Sequence, residues 1–490
     1  MRCNYIFLLI LCGLIAFDQG YAQSINTPGD YLSSDFHKQR REALRSQLPD
    51  HSVAVFFANA KRNRSNDIDY VYHQDPNFYY FTGYKEPDAV LLIFKEDQTM
   101  KDGTLYHEII FVRPRNPKNE MWTGRRLGVE GVHSKLDIQQ VFDNHKFENY
   151  HIDFKKFKKI LFYDFYNDVR DDKKDNGDLF DLIRQFKTDV HYPSSSNPDL
   201  TVEPVPQNLD VQSLKRIMAD LRGIKTPEEI KLLTKAVAIS TIAQNEVMKA
   251  LKPGMSEAEI QGIQEFVFKK YGSEYEGYPS IVGAGNNGCI LHYIDNQKPS
   301  VSSKEMVLMD LGAEYHGYSA DVTRTIPVKG TFSKEQKAIY DLVYDAQESA
   351  IRASIAGTKW RTTRLLARKI IYQGLVDLGI LDSIDQPNSY YPHGLGHHIG
   401  LDVHDAGNYD VFEPGMVFTV EPGIYIPDGS PCDNKWWGIA VRIEDCVLIG
   451  EDGQPHLLSY RAPRKSEDIE RMMARPSALD DFVLPDLEGN

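Results

Sequence analysis

An α/β (α+β) fold in two domains is predicted by three features of the sequence. The chain has 490 residues, more than one ordinary core encloses. Short apolar, strand-like runs stand at Val53 to Ala58, Ala89 to Phe94 and Glu108 to Val112, and helix-start signals alternate with further such runs in the second half. Between the halves, Tyr192 to Gln207 carries Pro193, Pro198, Pro204 and Pro206 among Ser and Asn, the composition of an inter-domain linker. The boundaries are then 23–205 for a smaller N-terminal α/β domain, 206–475 for the C-terminal domain and 476–490 for an acidic, flexible tail.

Residues 1–22 stand outside the fold. Arg2 gives a positive start, Tyr5 to Phe17 is an apolar run, and Gly20 and Ala22 are small residues before Gln23. This is the pattern of a cleaved export signal, and the run is shorter than the roughly 20 apolar residues of a membrane span. The expected product is an exported protein, periplasmic or secreted after cleavage near Ala22, with no membrane association. Cleavage removes one positive and one negative charge (Arg2, Asp18), so the net charge stays at −14. That charge argues against non-specific nucleic-acid binding. Cys289, Cys432 and Cys446 remain after cleavage, enough for at most one disulfide.

In the second domain Thr226-Pro227-Glu228-Glu229 is a capping box with Pro at the first helical position. It opens a helix to about Leu251, which Lys252-Pro253-Gly254 stops. Ser256 with Glu259 opens a second helix to about Tyr271. Strand-like runs follow at Gly288 to Tyr293, Met306 to Tyr315 and Tyr318 to Ile326. Long helical patterns cover Lys334 to Ala356 and Trp360 to Leu378, strands are expected at Val417 to Ile426 and Ile439 to Ile449, and a closing helix spans Ser466 to Ala474.

Chemistry concentrates in that domain. Asp310 ends an apolar run, and Asp321 follows eleven residues later across a turn near His316-Gly317. A hairpin of suitable loop length puts both side chains on one face, where they repel unless a cation lies between them; solvated acids on an open sheet face are the competing account. HGLGHHIGLDVHD, His393 to Asp405, holds four of the 15 histidines. Neutral imidazole suits Zn, Mn, Fe or Co, and the glycines allow close backbone approach. Glu421 ends the run Val417 to Val420, a place where a carboxylate is expensive to bury without a partner. Glu444 follows Arg442 at a two-residue spacing, so an Arg442–Glu444 ion pair on a sheet is the simpler alternative there. Together Asp310, Asp321, His397, Glu421 and Glu444 form an oxygen-rich set with one nitrogen, suited to two divalent ions, Mn first and Co, Fe or Zn behind it. Four carboxylates balance two dications, and such a pair supports hydrolysis. The G-x-G-x-x-G at Gly283 to Gly288 is followed by an apolar, strand-like run rather than a helix, which argues against a nucleotide site.

These motifs resemble the aminopeptidase P family of pita-bread metallopeptidases. The resemblance runs from about Asp35 to Met473. It rests on DLGAEYHGYSADVTRTIPVKGTF, HGLGHHIGLDVHD, VFTVEPGIYI and GIAVRIED, and in the first domain on FYYFTGYKEPDAVLL and on Trp122 before Gly124 to Gly128. It implies a C-terminal pita-bread catalytic domain, a smaller α/β N-terminal domain, two Mn ions, and release of the N-terminal residue from peptides with proline second. Asp310 would bind one ion, Asp321 and Glu444 both, and His397 and Glu421 the other, with a hydroxide between them attacking the Xaa–Pro carbonyl. Glu421 would also shuttle a proton, His404 would stabilise the tetrahedral intermediate, and His292 and His393 would line the proline pocket. Asp67, Tyr425 and Arg442 would form a relay. Trp122 would come from a neighbouring subunit, implying a homo-oligomer, dimer or tetramer.

Three departures stand out: PDGSPCDNKWW at residues 427–437, His398 where relatives carry an aromatic residue, and weak likeness from about Leu136 to Val211. Prolidase, acting on Xaa-Pro dipeptides, would share the ligands and domain plan. A non-catalytic pita-bread binding protein or a metal-free creatinase-type hydrolase would lack ligands, and all five positions are filled.

Overall fold

The computed structural model describes residues 29–166, 168–193, 206–482 and 484. The expected export signal at 1–22, and most of the expected linker, at 194–205, lie outside them.

The first domain is built on a six-stranded mixed sheet. Helix α1 (Ser34–Gln47) precedes β1 (Ser52–Phe57), α2 (Pro76–Thr82), β2 (Val90–Thr99), β3 (Leu105–Val112), β4 (Gln140–Asp143), β5 (Lys159–Phe162) and β6 (Leu209–Asp210). The order is β4-β3-β2-β1-β5-β6. β1, β2 and β3 pair antiparallel and the outer strands parallel. Both sheet faces are buried: Val53, Val55 and Phe162 pack into one apolar cluster, and Ala54, Phe56 and Leu161 into a second that runs on into the second domain.

Helix α3 (Ser213–Gly223) leads into that domain. α4 (Pro227–Ala250) and α5 (Glu257–Lys270) each begin with the expected capping box, Thr226 with Glu229 and Ser256 with Glu259. Strands β7 (Ile281–Ala284), β8 (Met306–Leu311), β9 (Ala313–Tyr315), β10 (Tyr318–Ser319) and β11 (Val322–Pro327) follow. The second half repeats the plan of two helices and then strands: α6 (Lys334–Ala353), α7 (Trp360–Asp377), β12 (Val417–Val420), β13 (Gly423–Ile426), β14 (Ile439–Arg442), β15 (Asp445–Ile449) and β16 (Pro455–Leu457), closed by α8 (Ser466–Met473). β7-β8-β11 and β12-β15-β16 are antiparallel three-stranded sheets, and β13 pairs with β14. α4 packs on β9 to β11, and α6 on β12 to β14.

The structure corrects several expectations. Gly288 to Tyr293 is not a strand: a 3-10 turn covers Gly285–Cys289 and irregular chain follows. The backbone folds so tightly that a Cβ on Gly283 would lie 2.8 Å from Gly288, leaving no ladder to join. The run before that turn is the strand β7, so the nucleotide motif lacks the helix it needs for a different reason than expected. Tyr318 to Ile326, Val417 to Ile426 and Ile439 to Ile449 are each two strands, interrupted at Ala320-Asp321, Glu421-Pro422 and Ile443-Glu444. Each break carries an expected ligand. In the tail, residues 477–480 form a turn, and Lys252 reaches Asp480 at 2.9 Å.

Candidate active site

Asp310, Asp321, His393, His397, His404, His292, Glu421, Arg442 and Glu444 line one cavity of about 510 Å³ between the two halves. The strand breaks explain the convergence. Asp310 sits in β8 opposite Thr323, and Asp321 lies in the break before β11. The two acids are therefore not a cross-strand pair, yet the Tyr278 hydroxyl lies 2.6 Å from Oδ1 of each. Gly312 permits this fold-back, since a Cβ there would meet the Ala320 carbonyl oxygen at 1.8 Å.

His397 is held by its backbone and its ring. Gly396 lets the loop press against β12, where a Cβ would lie 1.9 Å from the Thr419 carbonyl oxygen. The ring Nδ1 is 3.0 Å from the His398 carbonyl, so it carries the proton. Nε2 therefore presents its lone pair to Asp321 Oδ2 at 3.5 Å and Glu421 Oε1 at 3.6 Å. These separations are too long for good hydrogen bonds. Ligand atoms of Asp321, His397 and Glu444 all lie within 4.8 Å of one another. Glu444 Oε2 accepts from Thr323 Oγ1 at 2.7 Å, while its Oε1 is buried with no partner.

The electrostatics are lopsided. Burial, then the Asp310 charge, pushes Asp321 well above the carboxylate range. Burial, then Asp321, does the same to Glu444, and burial with Glu444 lifts Glu421 to about 8. Burial also works against ionised Asp310, but Arg442 overrides it and holds the group low. Three crowded carboxylates, an orphan oxygen and a bare imidazole nitrogen facing them are what a cationic centre requires, so the residues fit a divalent metal.

Arg442 does not pair with Glu444, as the simpler alternative had it. Its guanidinium bonds Asp310 Oδ2 at 2.6 Å and donates to the Tyr425 hydroxyl at 2.9 Å. Tyr425 stands 2.8 Å from His393 Nε2, and His393 Nδ1 lies 2.8 Å from the Gly394 carbonyl. That carbonyl sets the tautomer, so Tyr425 donates to Nε2. Burial, then Arg442, lowers His393 to about 4 and keeps it neutral. Burial, then His397, also lowers His404, whose ring centroid is 4.3 Å from that of His397.

Asp67 and Trp122 are not brought to this cavity. Asp67 is exposed at the tip of the hairpin Asn63–Ser65/Ile68–Asp69, and Trp122 is 88% exposed on the helix Pro117–Thr123. Sequence reasoning missed Tyr278 and Thr323, which carry no local signal. It also missed Arg222, which pairs with Asp402 and Asp405 on either side of His404 and donates to Asn77 Oδ1 at 2.7 Å.

The sequence matches known proteins along nearly its whole length. Residues 231–451 match the profile of Metallopeptidase family M24, and residues 37–161 that of the aminopeptidase P N-terminal domain. A Xaa-Pro aminopeptidase of Haemophilus influenzae is 34% identical over 456 residues, covering 90% of this chain and 98% of that protein. The chain belongs to the aminopeptidase P family. Its fold superposes on Escherichia coli aminopeptidase P with the inhibitor Pro-Leu at TM-score 0.77, 32% identity and coverage of 90% and 98%. Pseudomonas aeruginosa aminopeptidase PepP gives 0.78, 31%, and 91% and 98%. The protein is thus a metal-dependent aminopeptidase, a hydrolase with the pita-bread catalytic domain of family M24, and the buried Asp321–His397–Glu444 group is suited to a divalent metal.

Proposed function

We propose that this aminopeptidase releases the N-terminal residue from peptides whose second residue is proline, using two divalent ions, manganese first. The observation that carries this reading is the His397 Nε2 lone pair facing Asp321 and Glu421, beside a Glu444 oxygen that has no protein partner. Asp310, Asp321, His397, Glu421 and Glu444 would hold the ions. When bound, such a pair supplies Lewis acidity and a water acidified toward neutral pH.

The chain's own groups do the rest. Glu421, in the cavity wall beside His397, is suited to take a proton from the attacking water and deliver it to the leaving proline nitrogen. That nitrogen is tertiary until cleavage, so it offers no N–H to a binding site, and the ring fixes φ. Recognition must therefore come from shape, and His292, His393, Leu291 and Ile294 line the side available to a ring. The Arg442–Tyr425–His393 chain orients one wall of that pocket. His404, neutral at working pH, would donate an N–H to the developing oxyanion. Pro-Leu, an inhibitor of the E. coli relative, is the kind of product this reaction would leave.

The reading extends to export after cleavage near Ala22 and to a homo-oligomer in which Trp122 meets a neighbouring subunit. Mass spectrometry of the secreted chain tests the first, and light scattering the second. The central test is hydrolysis of Arg-Pro-Pro and Ala-Pro by the mature protein, with and without Mn and a chelator. Tripeptide cleavage abolished by the chelator is expected. Cleavage of the dipeptide alone would make it a prolidase, and activity that outlasts metal removal would contradict the metal reading.

A further inference from the structure

A second cavity, of about 450 Å³, lies along the same glycine loop. Gly394 and Gly396 line both it and the catalytic pocket. Its walls are aromatic. Trp360 stacks on Phe412 at 4.6 Å, and the Tyr409 and Phe418 rings stand 4.8 and 5.1 Å from it. The volume falls within the range of small-molecule sites, which runs from roughly 300 to 1,000 Å³.

Its polar lining is one-sided. Arg361 and Arg364, both exposed, line the cavity, and no Asp or Glu side chain does so among the described residues. Among the described residues neither arginine makes an ion pair or side-chain hydrogen bond, whereas Arg352 on the preceding helix is tied to Glu348. The indole Nε1 of Trp360 is buried without a partner. Helix α7 begins at this point with no side-chain cap, which adds the positive end of its dipole. Two solvated arginines on a helix would be ordinary. Here they stand in the first two turns of a long helix, beside an aromatic hollow and an unused N–H donor.

We propose that this cavity binds a small carboxylate with an apolar side chain, of the size of an acylated aromatic amino acid. The apolar body would lie against Trp360, Phe412 and Phe418. The carboxylate would take the forked guanidinium donors of Arg361 and Arg364. The walls also make the site consequential. Leu395, Thr419 and Val420 line it, and Glu421 N donates to the Leu395 carbonyl at 2.8 Å while Thr419 N donates to the His397 carbonyl at 2.8 Å. An occupant thus bears on the two segments from which His397 and Glu421 project.

The test is calorimetric titration of N-acetyl-L-phenylalanine into the full mature chain. This probe has no free amine and no proline, so it is not a substrate of the reaction proposed above, and its binding does not depend on that reading. Saturable binding at one site is expected. Affinity should drop by about tenfold or more for N-acetyl-L-phenylalaninamide, and by as much for an Arg361→Gln/Arg364→Gln double variant, the loss typical of a charge-assisted pair. An unchanged melting temperature in the double variant would establish that it is folded. Equal affinity for the amide, equal affinity in the double variant, or no saturable heat would overturn the proposal. So would binding that survives in the double variant but disappears in Glu444→Ala, which would locate the probe in the catalytic pocket.

Discussion

His404 and Asp405 are neighbours in the chain but serve opposite electrostatic regimes. Asp405 is 6% exposed and Asp321, in the catalytic pocket, 5%, so burial does not distinguish them. Asp405 has two buried cations, Arg222 and Lys225, the latter at 2.8 Å. Burial works against its charge, but the two cations overcome it and hold the group low. Asp321 meets other acids and is pushed high. A protein that can neutralise a buried carboxylate so well at one place leaves three of them uncompensated a short distance away. The missing charge is what a divalent ion supplies.

The largest way to break this contrast is at the pocket. Asp321→Ala or Glu444→Ala should lower kcat by several orders of magnitude, because either change removes a carboxylate expected to touch both ions. Steady-state assays in saturating Mn check this, and turnover near that of the wild type would refute the assignment.

Stability should respond with opposite signs at the two sites. Asp405→Asn leaves buried Lys225 without its anion and Arg222 with Asp402 alone, and breaking a buried pair costs about 3–5 kcal/mol. Glu444→Gln in metal-free protein replaces a carboxyl whose ionisation the site disfavours with a neutral amide and keeps an acceptor for Thr323, so it should raise the urea midpoint. If both variants are destabilised equally without metal, the contrast is wrong.

The pH dependence follows the same signs. Glu421 has a folded value of about 8 against 4.5 for the free group. The folded metal-free protein therefore holds a proton that the unfolded chain has lost, and its stability falls as pH rises through that window. Asp405, held low, contributes stability above the ordinary carboxylate range and loses it as pH drops. Calorimetric melting without metal should decline from about pH 5 toward pH 8. Mn competes with the proton and should flatten the decline.

Much of this was legible in the sequence, for identifiable reasons. A carboxylate that ends an apolar run is expensive to bury alone, and such runs end at Asp310 and Glu421. The capping boxes at Thr226 and Ser256 announced their helices because they are local hydrogen-bond patterns. Which oxygen meets which partner was not legible. It depends on strand breaks at Ala320, Pro422 and Ile443 that an apolar run does not advertise, so Arg442 was set beside Glu444 when it reaches Asp310 across the sheet. Tyr278 and Arg222 act through contacts with residues far along the chain, and one tyrosine or arginine has no periodicity to betray it. Residues 288–293 misled for the opposite reason: an apolar run next to glycines looks like a strand even when the backbone folds back on itself.

The smallest effect on stability should come from the most exposed tryptophan. Trp122 and Met121 are 88% and 86% exposed on the seven-residue helix Pro117–Thr123. Two adjacent large apolar side chains left in water gain free energy when another surface covers them. Within one chain Trp122 touches little, so Trp122→Ala should shift stability by no more than about 0.5 kcal/mol. The same substitution should weaken self-association in light scattering and raise KM for Xaa-Pro-Yaa tripeptides severalfold, with kcat changed less. An altered KM in a protein that remains monomeric at every concentration would exclude a neighbouring subunit as the cause. No change in either quantity would leave Trp122 an ordinary surface residue and confine the catalytic pocket to a single chain.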